Sequence, residues 1–300
     1  MRISEGAGVR GGLSILLLTT LGWTGCGGPR HAPADATAQR VVCASPAVAE
    51  IVFALGVGER VVGVSDFSDW PPEAKAKPRI GGALVPNREV ILALQPNLIL
   101  AQGRAEILHR FATAQGIHFA AWPLDTLADL RAMIRGIATT LGEDEHGRQL
   151  VARLDADFAA LAPERMTPVF IALSHAPGEL AGLMTAGPHT FLSELVELAG
   201  GQNIFADVTA SWPHISQETL VRRRPELILD FQPTQLSDAQ RTALLADWGK
   251  LGFSPEQVRI LEEDYLLKPG PRAPVAAGIL AAALQPLTSG MGQRNAPVSR

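Results

Sequence analysis

The chain has 300 residues, of which 47% are hydrophobic, and it carries a formal net charge of −4 at pH 7. That length favours two domains, and the hydrophobic content is sufficient for two ordinary cores. A mildly acidic chain without a stripe of Lys and Arg is a poor partner for nucleic acid. We therefore expect no nucleic-acid binding.

The N-terminal segment has the pattern of an export signal. Arg2 and Arg10 precede an apolar run, Leu13–Trp23, that is too short to span a bilayer. The run ends at Thr24-Gly25-Cys26-Gly27, which resembles a lipoprotein signal. We expect residues 1–25 to be a lipoprotein signal peptide and Cys26 to be lipidated. A plain secretory signal with an incidental cysteine is the alternative.

The only other cysteine, Cys43, lies in the apolar run Val41–Ala44. If Cys26 is lipidated, no disulfide can form within the chain. The surroundings of Cys43 predict a small buried hydrophobic residue rather than a nucleophile.

Residues 26–38 lack periodicity and predict a tether, and a first α/β lobe is predicted over residues 39–142. Within this lobe, short apolar runs alternate with helical patterns, which is typical of a mainly parallel sheet covered on both faces. The predicted strands are Arg40–Ala44, Val61–Val64, Leu98–Ala101 and His118–Ala121. The predicted helices are Ala47–Leu55, Arg88–Leu94, Arg104–Gln115 and Leu127–Leu141.

A single long helix is predicted to connect this lobe to the next, within residues 143–165. Its core runs from Glu143 to Pro163, where acidic residues open the first turn and the proline ends the helix. A helix of that length is about 30 Å long and acts as a stiff spacer, so we expect little relative motion of the lobes. The apolar residues that share one face of the helix are Leu150, Val151, Leu154, Phe158 and Leu161.

The same alternation then returns and predicts a second α/β lobe over residues 166–286, followed by a flexible tail, 287–300. Its predicted strands are Pro168–Leu173, Asn203–Phe205, Leu227–Asp230 and Val258–Leu261. Its predicted helices are Phe191–Ala199, Gln217–Arg223, Asp238–Trp248 and Ala273–Leu284.

The two halves also repeat a local pattern. Trp70-Pro71 and Trp212-Pro213 each come before a helix that opens with a glutamate, Glu89 or Glu218. Further upstream, Glu50 before a Leu-Gly pair has a counterpart in Glu194 before an Ala-Gly pair. This matched order predicts duplicated lobes related by an approximate two-fold axis.

In open parallel sheets, ligands bind outside the carboxyl ends of the strands, so two such lobes would face each other across a cleft. We interpret Trp70 and Trp212 as flat surfaces that enclose a planar or bulky ligand. The alternative is that each tryptophan packs on its own lobe. The candidate ligand-binding residues on the loops are Ser45, Phe67, Trp70, Gln102, Arg104, His175, Trp212, Asp264 and Tyr265.

Glu89 and Glu218 each follow a predicted capping residue by two positions, Asn87 or Ser216. A carboxylate in the first turn of a helix is stabilising by itself, and that is the simplest interpretation. Its repetition in both lobes favours a second interpretation, in which the pair meets arginine pockets of a partner protein.

The chain resembles the solute-binding proteins of metal-chelate ABC importers, which receive cobalamin, haem and ferric siderophores, and most resembles the cobalamin-binding branch. The resemblance covers about residues 39–286. It is carried by Ser45-Pro46 with Glu50, Gly63–Pro72, Asn87–Leu100, Glu194–Phe205, Trp212–Ser216 and Pro269–Arg272.

The resemblance implies two α/β lobes on one rigid helix, the class III type of metal receptor. It implies that Glu89 and Glu218 dock on the permease and that Phe67, Trp70, Trp212, Asp264 and Tyr265 lie at the ligand. Around Gly81–Leu84 and Ala101–Arg104 the cobalamin branch tends to carry further aromatic rings, and this chain has none. Haem or a siderophore therefore stays open as the ligand.

We accordingly expect a monomeric, exported protein that is lipid-anchored at the outer, periplasmic face of the cytoplasmic membrane. Its expected partners are a metal chelate and the permease and ATPase subunits of an importer, with no cofactor and no metal site of its own.

Three alternatives stay open. An enzyme acting on a small molecule in the same cleft would need a catalytic or cofactor-binding motif. Gly56-Val57-Gly58 superficially resembles a dinucleotide-binding loop, but it follows a helix rather than the strand that such a loop requires. His175, His189 or His214 could make an axial contact to the metal of a chelate or, in a weaker version, hold Zn²⁺ or Mn²⁺ directly, but no fixed metal-ligand spacing links them. A surface protein that binds other proteins in the cleft would take no small ligand.

Overall fold

The structure is a computed structural model that describes residues 40–175, 178 and 180–285. The predicted signal peptide with Cys26, the tether and the C-terminal tail lie outside the described residues. All described residues belong to one compact unit. None of the helices in these ranges is both long enough and apolar enough to cross a membrane.

The first lobe contains a four-stranded parallel sheet with strand order β2-β1-β3-β4. Its central strands are apolar and buried on both faces, as a sheet covered by helices requires. The strands are β1 (Val41–Cys43), β2 (Val61–Val64), β3 (Leu98–Gln102) and β4 (His118–Trp122). The helices are α1 (Pro46–Ala54), α2 (Pro72–Lys75), α3 (Arg88–Ala93), α4 (Glu106–Ala114) and α5 (Leu127–Leu141).

The second lobe repeats this topology in a parallel sheet with strand order β6-β5-β7-β8. The position of each strand matches that of its counterpart in the first sheet, as the repeated pattern predicts. The strands are β5 (Thr167–Ala172), β6 (Gly201–Asn203), β7 (Leu227–Phe231) and β8 (Val258–Leu261). The helices are α6 (Asp144–Ala159), which precedes the sheet, α7 (Phe191–Leu198), α8 (Gln217–Arg223), α9 (Asp238–Lys250) and α10 (Ala273–Leu284).

Several element boundaries differ from the prediction, and three of the differences have a clear local reason. Helix α4 begins at Glu106 because Ala105 has a left-handed backbone, with φ of 40°. Helix α6 ends at Ala159 because Ala162, just before Pro163, also has a positive φ and cannot continue the helix. Strand β6 ends at Asn203, whose side-chain Oδ1 accepts a hydrogen bond from the backbone N of Phe205 at 2.9 Å.

The predicted connecting helix is α6, about 24 Å long, and α5 packs along it as the other half of a helical hairpin. Arg60 of the first lobe fixes the turn of the hairpin: its guanidinium donates to the Leu141 carbonyl at 2.9 Å and to Glu143 at 3.0 Å. At the other end of α5, the backbone N of Leu127 donates to Glu194 of α7 at 2.7 Å. Both helices of the hairpin therefore run between the lobes.

Helix α10 makes the reciprocal connection, from the second lobe to the first. It packs on α7 and α6, yet its N-cap residue, Arg272, pairs with Glu50 of α1. The last helix of each lobe thus begins against the helix that follows the first strand of the other lobe, α1 or α7. One hydrophobic cluster accordingly includes buried residues of both sheets and of the helices between them. This shared core holds the two lobes as one body.

Candidate ligand-binding cleft

A cavity of about 320 Å³ lies between the two lobes. The first lobe contributes the start of α1, the loop after β2 and the end of α2, and the second lobe contributes the segment between β8 and α10. The lining residues are Pro46, Glu50, Phe67, Asp69, Trp70, Lys75, Asp264, Lys268 and Arg272. Three predicted ligand-binding residues, Phe67, Trp70 and Asp264, are therefore brought together from the two lobes.

The loop after β2 presents its two aromatic rings outward from a fixed base. Ser65 and Ser68 are buried, and their hydroxyls hydrogen-bond to each other at 2.8 Å. The Arg79 guanidinium donates to both of their carbonyls at 2.9 Å. Phe67 lies between these two serines and is 65% exposed. Trp70 follows them and is 46% exposed. Large apolar rings held on a rigid loop and left open to solvent are a surface for a ligand.

Arg272 sits at the centre of the cleft. Its guanidinium makes a two-point ion pair with Glu50, with Nε to Oε2 at 3.0 Å and Nη2 to Oε1 at 2.6 Å. The same group lies 5.1 Å from the ring centroid of Trp70 and 4.7 Å from that of Tyr265. Tyr265 therefore contacts the cavity lining at Arg272. The Arg272 guanidinium contacts side chains from both lobes.

The second-lobe wall is a short 3-10 helix, Asp264–Leu267, and the next residue, Lys268, donates from its Nζ to Asp264 at 2.5 Å. Across the whole lining, the three acidic residues Glu50, Asp69 and Asp264 face the three basic residues Lys75, Lys268 and Arg272. The cavity is polar but balanced in charge. Burial raises the pKa of the Tyr265 phenol, with a smaller contribution from Glu263, so this side chain is a neutral hydroxyl near pH 7.

Other predicted residues lie outside this lining. Ser45 is buried and caps α1, accepting a hydrogen bond from Val48 N at 3.3 Å. Gln102 ends β3, and Arg104 is exposed on the loop that follows. Trp212 is 49% exposed on a second-lobe loop that is held by a hydrogen bond from Gly187 N to the Ser211 carbonyl at 2.8 Å.

His175 lines a different cavity, of about 400 Å³, within the second lobe between α9 and the ends of β5 and β7. Its Nε2 lies 3.2 Å from Oδ2 of the fully buried Asp230. Asp230 also accepts hydrogen bonds from Trp248 Nε1 at 2.7 Å and Gln232 Nε2 at 2.6 Å. This network orients the His175 ring beside a largely apolar chamber.

Glu89 and Glu218 are exposed in the first turns of α3 and α8. The predicted caps are present: Asn87 accepts from Val90 N at 3.1 Å and Ser216 accepts from Thr219 N at 3.2 Å. Because α3 and α8 lead into the equivalent strands β3 and β7, the two glutamates occupy equivalent places in the two lobes.

Sequence reasoning missed Lys75, Lys268, Glu50 and Arg272 as residues of the site. The match between Glu50 and Glu194 was the available signal, since both glutamates mark where a helix from the other lobe begins. Nothing in the local sequence signals that Glu50 would pair with a residue 222 positions away.

Neither metal nor thiol chemistry is evident in the part of the chain that the structure describes. Those residues contain no group of three or more His, Cys, Asp or Glu side chains placed to hold a metal ion. Cys43 is fully buried in β1, and burial raises the pKa of its thiol far above the usual value. It therefore packs as a hydrophobic residue, as predicted.

Comparisons with known proteins agree with this architecture. Residues 41–235 match the family model described as periplasmic binding protein. A vitamin B12-binding protein of Pectobacterium carotovorum is 31% identical over 270 residues, covering 86% of this chain and 92% of that protein. In this relative the match extends over both lobes.

Two solved structures are similar over the same range. The periplasmic haem-binding protein RhuT of Roseiflexus sp. RS-1 has a TM-score of 0.66 and 27% identity, covering 82% of this chain and 97% of the other. The vitamin B12-binding protein BtuF of Vibrio cholerae has a TM-score of 0.59 and 25% identity, covering 82% and 96%. With these likenesses and the matching family model, the chain belongs to the family of periplasmic binding proteins.

Proposed function

We propose that this protein is the substrate-binding component of an ABC importer and that it captures a metal chelate of the corrinoid type in the cleft between its lobes. The observation that carries the proposal is the pairing of exposed rings, Phe67 and Trp70, with the charged second-lobe wall at Asp264 and Lys268 across one cavity. Flat rings contact the face of a macrocycle, and the polar wall binds its side groups.

The balanced charge of the lining favours a corrinoid over haem. Corrinoid side groups are largely neutral carboxamides, which both donate and accept hydrogen bonds. A lining with three acids and three bases offers both kinds of partner. The ionised propionates of haem would instead require an excess of cations, because an unpaired charge is costly to bury.

Haem is the second candidate, and a specific observation supports it. The likeness to the RhuT structure, whose name describes haem binding, is higher in TM-score than the likeness to the vitamin B12-binding structure. The curated relative at 31% identity carries the vitamin B12 name and supports the corrinoid. Ferric siderophores form a third class of chelate with the same demand for excess cations when they are anionic.

Delivery to the permease is assigned to Glu89 and Glu218. Each is exposed at a helix start, and each has an exposed apolar residue three positions later, Leu92 or Val221. Residues three apart share a helix face, so each lobe presents an acidic group beside an apolar one. Such a patch suits an arginine pocket with an apolar rim on the permease. The ATPase subunits would supply the energy.

Anchoring is assigned to Cys26, lipidated at the outer face of the cytoplasmic membrane after export. The Gly- and Pro-containing tether would let the folded part reach the permease. The protein itself would act as a monomer without a cofactor, since the metal belongs to the ligand. It binds its ligand and performs no chemistry on it.

Isothermal titration calorimetry tests the ligand assignment. Cyanocobalamin, haemin and a ferric hydroxamate siderophore are titrated separately into the purified protein. We expect tight one-to-one binding of cyanocobalamin, and at least about tenfold weaker binding after Phe67→Ala or Trp70→Ala. Val275→Ala, which removes an exposed apolar side chain on α10, is the matched control and leaves the affinity unchanged. Tighter binding of haemin than of cyanocobalamin would replace the corrinoid by haem.

A further inference from the structure

The start of α5 meets Glu194 of the second lobe, and the start of α10 meets Glu50 of the first. These two contacts, the helix crossings, occupy equivalent positions but use different chemical groups. Glu194 of α7 receives the start of α5 through a backbone N–H alone, that of Leu127. Glu50 of α1 receives the start of α10 through the Arg272 side chain. The contact between a helix start and a glutamate of the other lobe therefore does not require an arginine. The Arg272 guanidinium at the Glu50 contact needs a separate explanation.

The surroundings of Arg272 supply that reason. Its partner Glu50 is only 6% exposed, and the two-point contact fixes the plane of the guanidinium. A Cβ on Gly270 would lie 3.2 Å from Glu50 Oε2, so the chain that leads to Arg272 is packed closely against the same carboxylate. The cation is thus held in one place and one orientation.

The fixed cation faces two rings from different lobes. Trp70 belongs to the loop after β2, and Tyr265 belongs to the 3-10 helix before α10. A cation near the face of an aromatic ring attracts it, and one cation that attracts two rings fixes their mutual position. Both rings were candidate ligand contacts, and Trp70 lines the cavity itself.

We propose that Arg272, held by Glu50, is the positioning residue of the cleft: it sets the separation and orientation of Trp70 and Tyr265 and thereby the affinity for the ligand. Arg272 also lines the cavity, but its proposed effect on the affinity is exerted through the two rings. The inference rests on the proposed function only in taking these rings as ligand contacts. The arrangement of the rings in the free protein is independent of it.

The first test uses the ligand-free protein. Tyr265 is the only tyrosine in the chain, so the phenolate absorbance reports this residue alone. The positive charge of Arg272 lowers the pKa of Tyr265 against the effect of burial. Arg272→Gln should therefore raise the midpoint of the titration, and Arg272→Lys, which keeps a cation, should restore it in part. Glu194→Gln at the other crossing is the matched control and leaves the midpoint unchanged. An unchanged midpoint in Arg272→Gln would overturn the placement of the cation on the ring.

The second test measures affinity for cyanocobalamin by calorimetry. Loss of two ring contacts should weaken binding by about tenfold in Arg272→Gln, with Arg272→Lys in between. In a background that carries both Trp70→Ala and Tyr265→Ala, the same Arg272→Gln change should have a much smaller effect, because both rings on which Arg272 acts are gone. An equal loss in both backgrounds would mean that Arg272 contacts the ligand directly and would overturn the positioning role.

The two tests separate the inference from the proposed function. If the wild-type protein binds none of the chelates, the proposed function fails, and the titration of Tyr265 still decides whether Arg272 fixes the rings. If cyanocobalamin binds tightly and both Arg272 variants bind as the wild type does, the function stands and the positioning role is wrong.

Discussion

The two lobes share one scaffold but differ at an equivalent buried position near the carboxyl end of a central strand. Strand β3 reads Leu98-Ile99-Leu100-Ala101-Gln102, and β7 reads Leu227-Ile228-Leu229-Asp230-Phe231. Both strands pair on one side with the first strand of their lobe and on the other with the last. Ala101 and Asp230 are therefore equivalent residues, and both are buried.

The surroundings of these two residues differ accordingly. Ala101 packs in an apolar cluster with Ile80, Ile99 and Leu108. Asp230 instead accepts hydrogen bonds from Trp248 and Gln232 and lies against His175. Duplication thus preserved strand order and helix caps, while the side chains near the ends of the two sheets diverged. The first lobe offers rings on a rigid loop to the cleft, whereas the second offers charged side chains there and keeps its hydrogen-bonded network beside a separate cavity.

The largest effect is expected where the lobes are most alike. Glu89→Ala or Glu218→Ala alone should each reduce ligand uptake by about tenfold or more, and the double variant should abolish it, because each removes a charge from the proposed permease contact. Uptake of radiolabelled ligand by cells carrying the cognate importer measures this effect. Calorimetry should find unchanged ligand affinity in all three variants.

Glu164→Ala, an exposed acidic residue between the lobes, is the control and should leave uptake unchanged. If Glu89→Ala and Glu218→Ala had very unequal effects, the two lobes would not dock equivalently. A loss of ligand affinity in these variants would contradict the separation of docking from binding.

A smaller effect is expected where the lobes differ. Asp230→Ala removes the acceptor of two buried donors and should lower the free energy of unfolding by about 3 kcal/mol. Asp230→Asn retains an acceptor oxygen and should cost about 1 kcal/mol. The reciprocal change, Ala101→Asp, buries a carboxyl group among apolar side chains and should also destabilise by about 3 kcal/mol. Urea unfolding followed by circular dichroism measures all three, and a neutral Asp230→Ala would show that the network contributes no stability.

The smallest effect is expected at Cys43. The strand register makes it equivalent to Ile171, since they pair with Leu100 and Leu229. Because burial raises the pKa of the thiol, Cys43 should not react with a disulfide reagent until the protein unfolds. Cys43→Ala should cost about 1 kcal/mol as a small cavity. Rapid reaction of the native thiol, in protein carrying Cys26→Ala, would contradict its packing role.

Much of the fold followed from periodicity. Apolar runs of four to six residues between helical patterns placed seven of the eight strands of the described residues, because strands buried on both faces are mostly apolar. The misplaced strand was β6, where Asn203 ends the strand by accepting a hydrogen bond from the backbone of Phe205. An apolar continuation, Ile204-Phe205, concealed that turn.

The cleft was less predictable than the fold. Phe67, Trp70 and Asp264 were found because they follow strands, whereas Ser45 turned out to cap a helix from the same kind of position. Arg272 and Glu50 were missed because their meaning arises only when α10 crosses to the other lobe. Contacts between residues so far apart depend on tertiary packing, which local pattern does not encode.

The most direct test of the central claim is a crystal structure of the protein with cyanocobalamin. The account predicts the corrin ring between the lobes, against Phe67 and Trp70 on one side and the Asp264 segment on the other, with the Glu50–Arg272 pair intact. A corrin bound in the second-lobe cavity beside His175, or outside the cleft altogether, would contradict it.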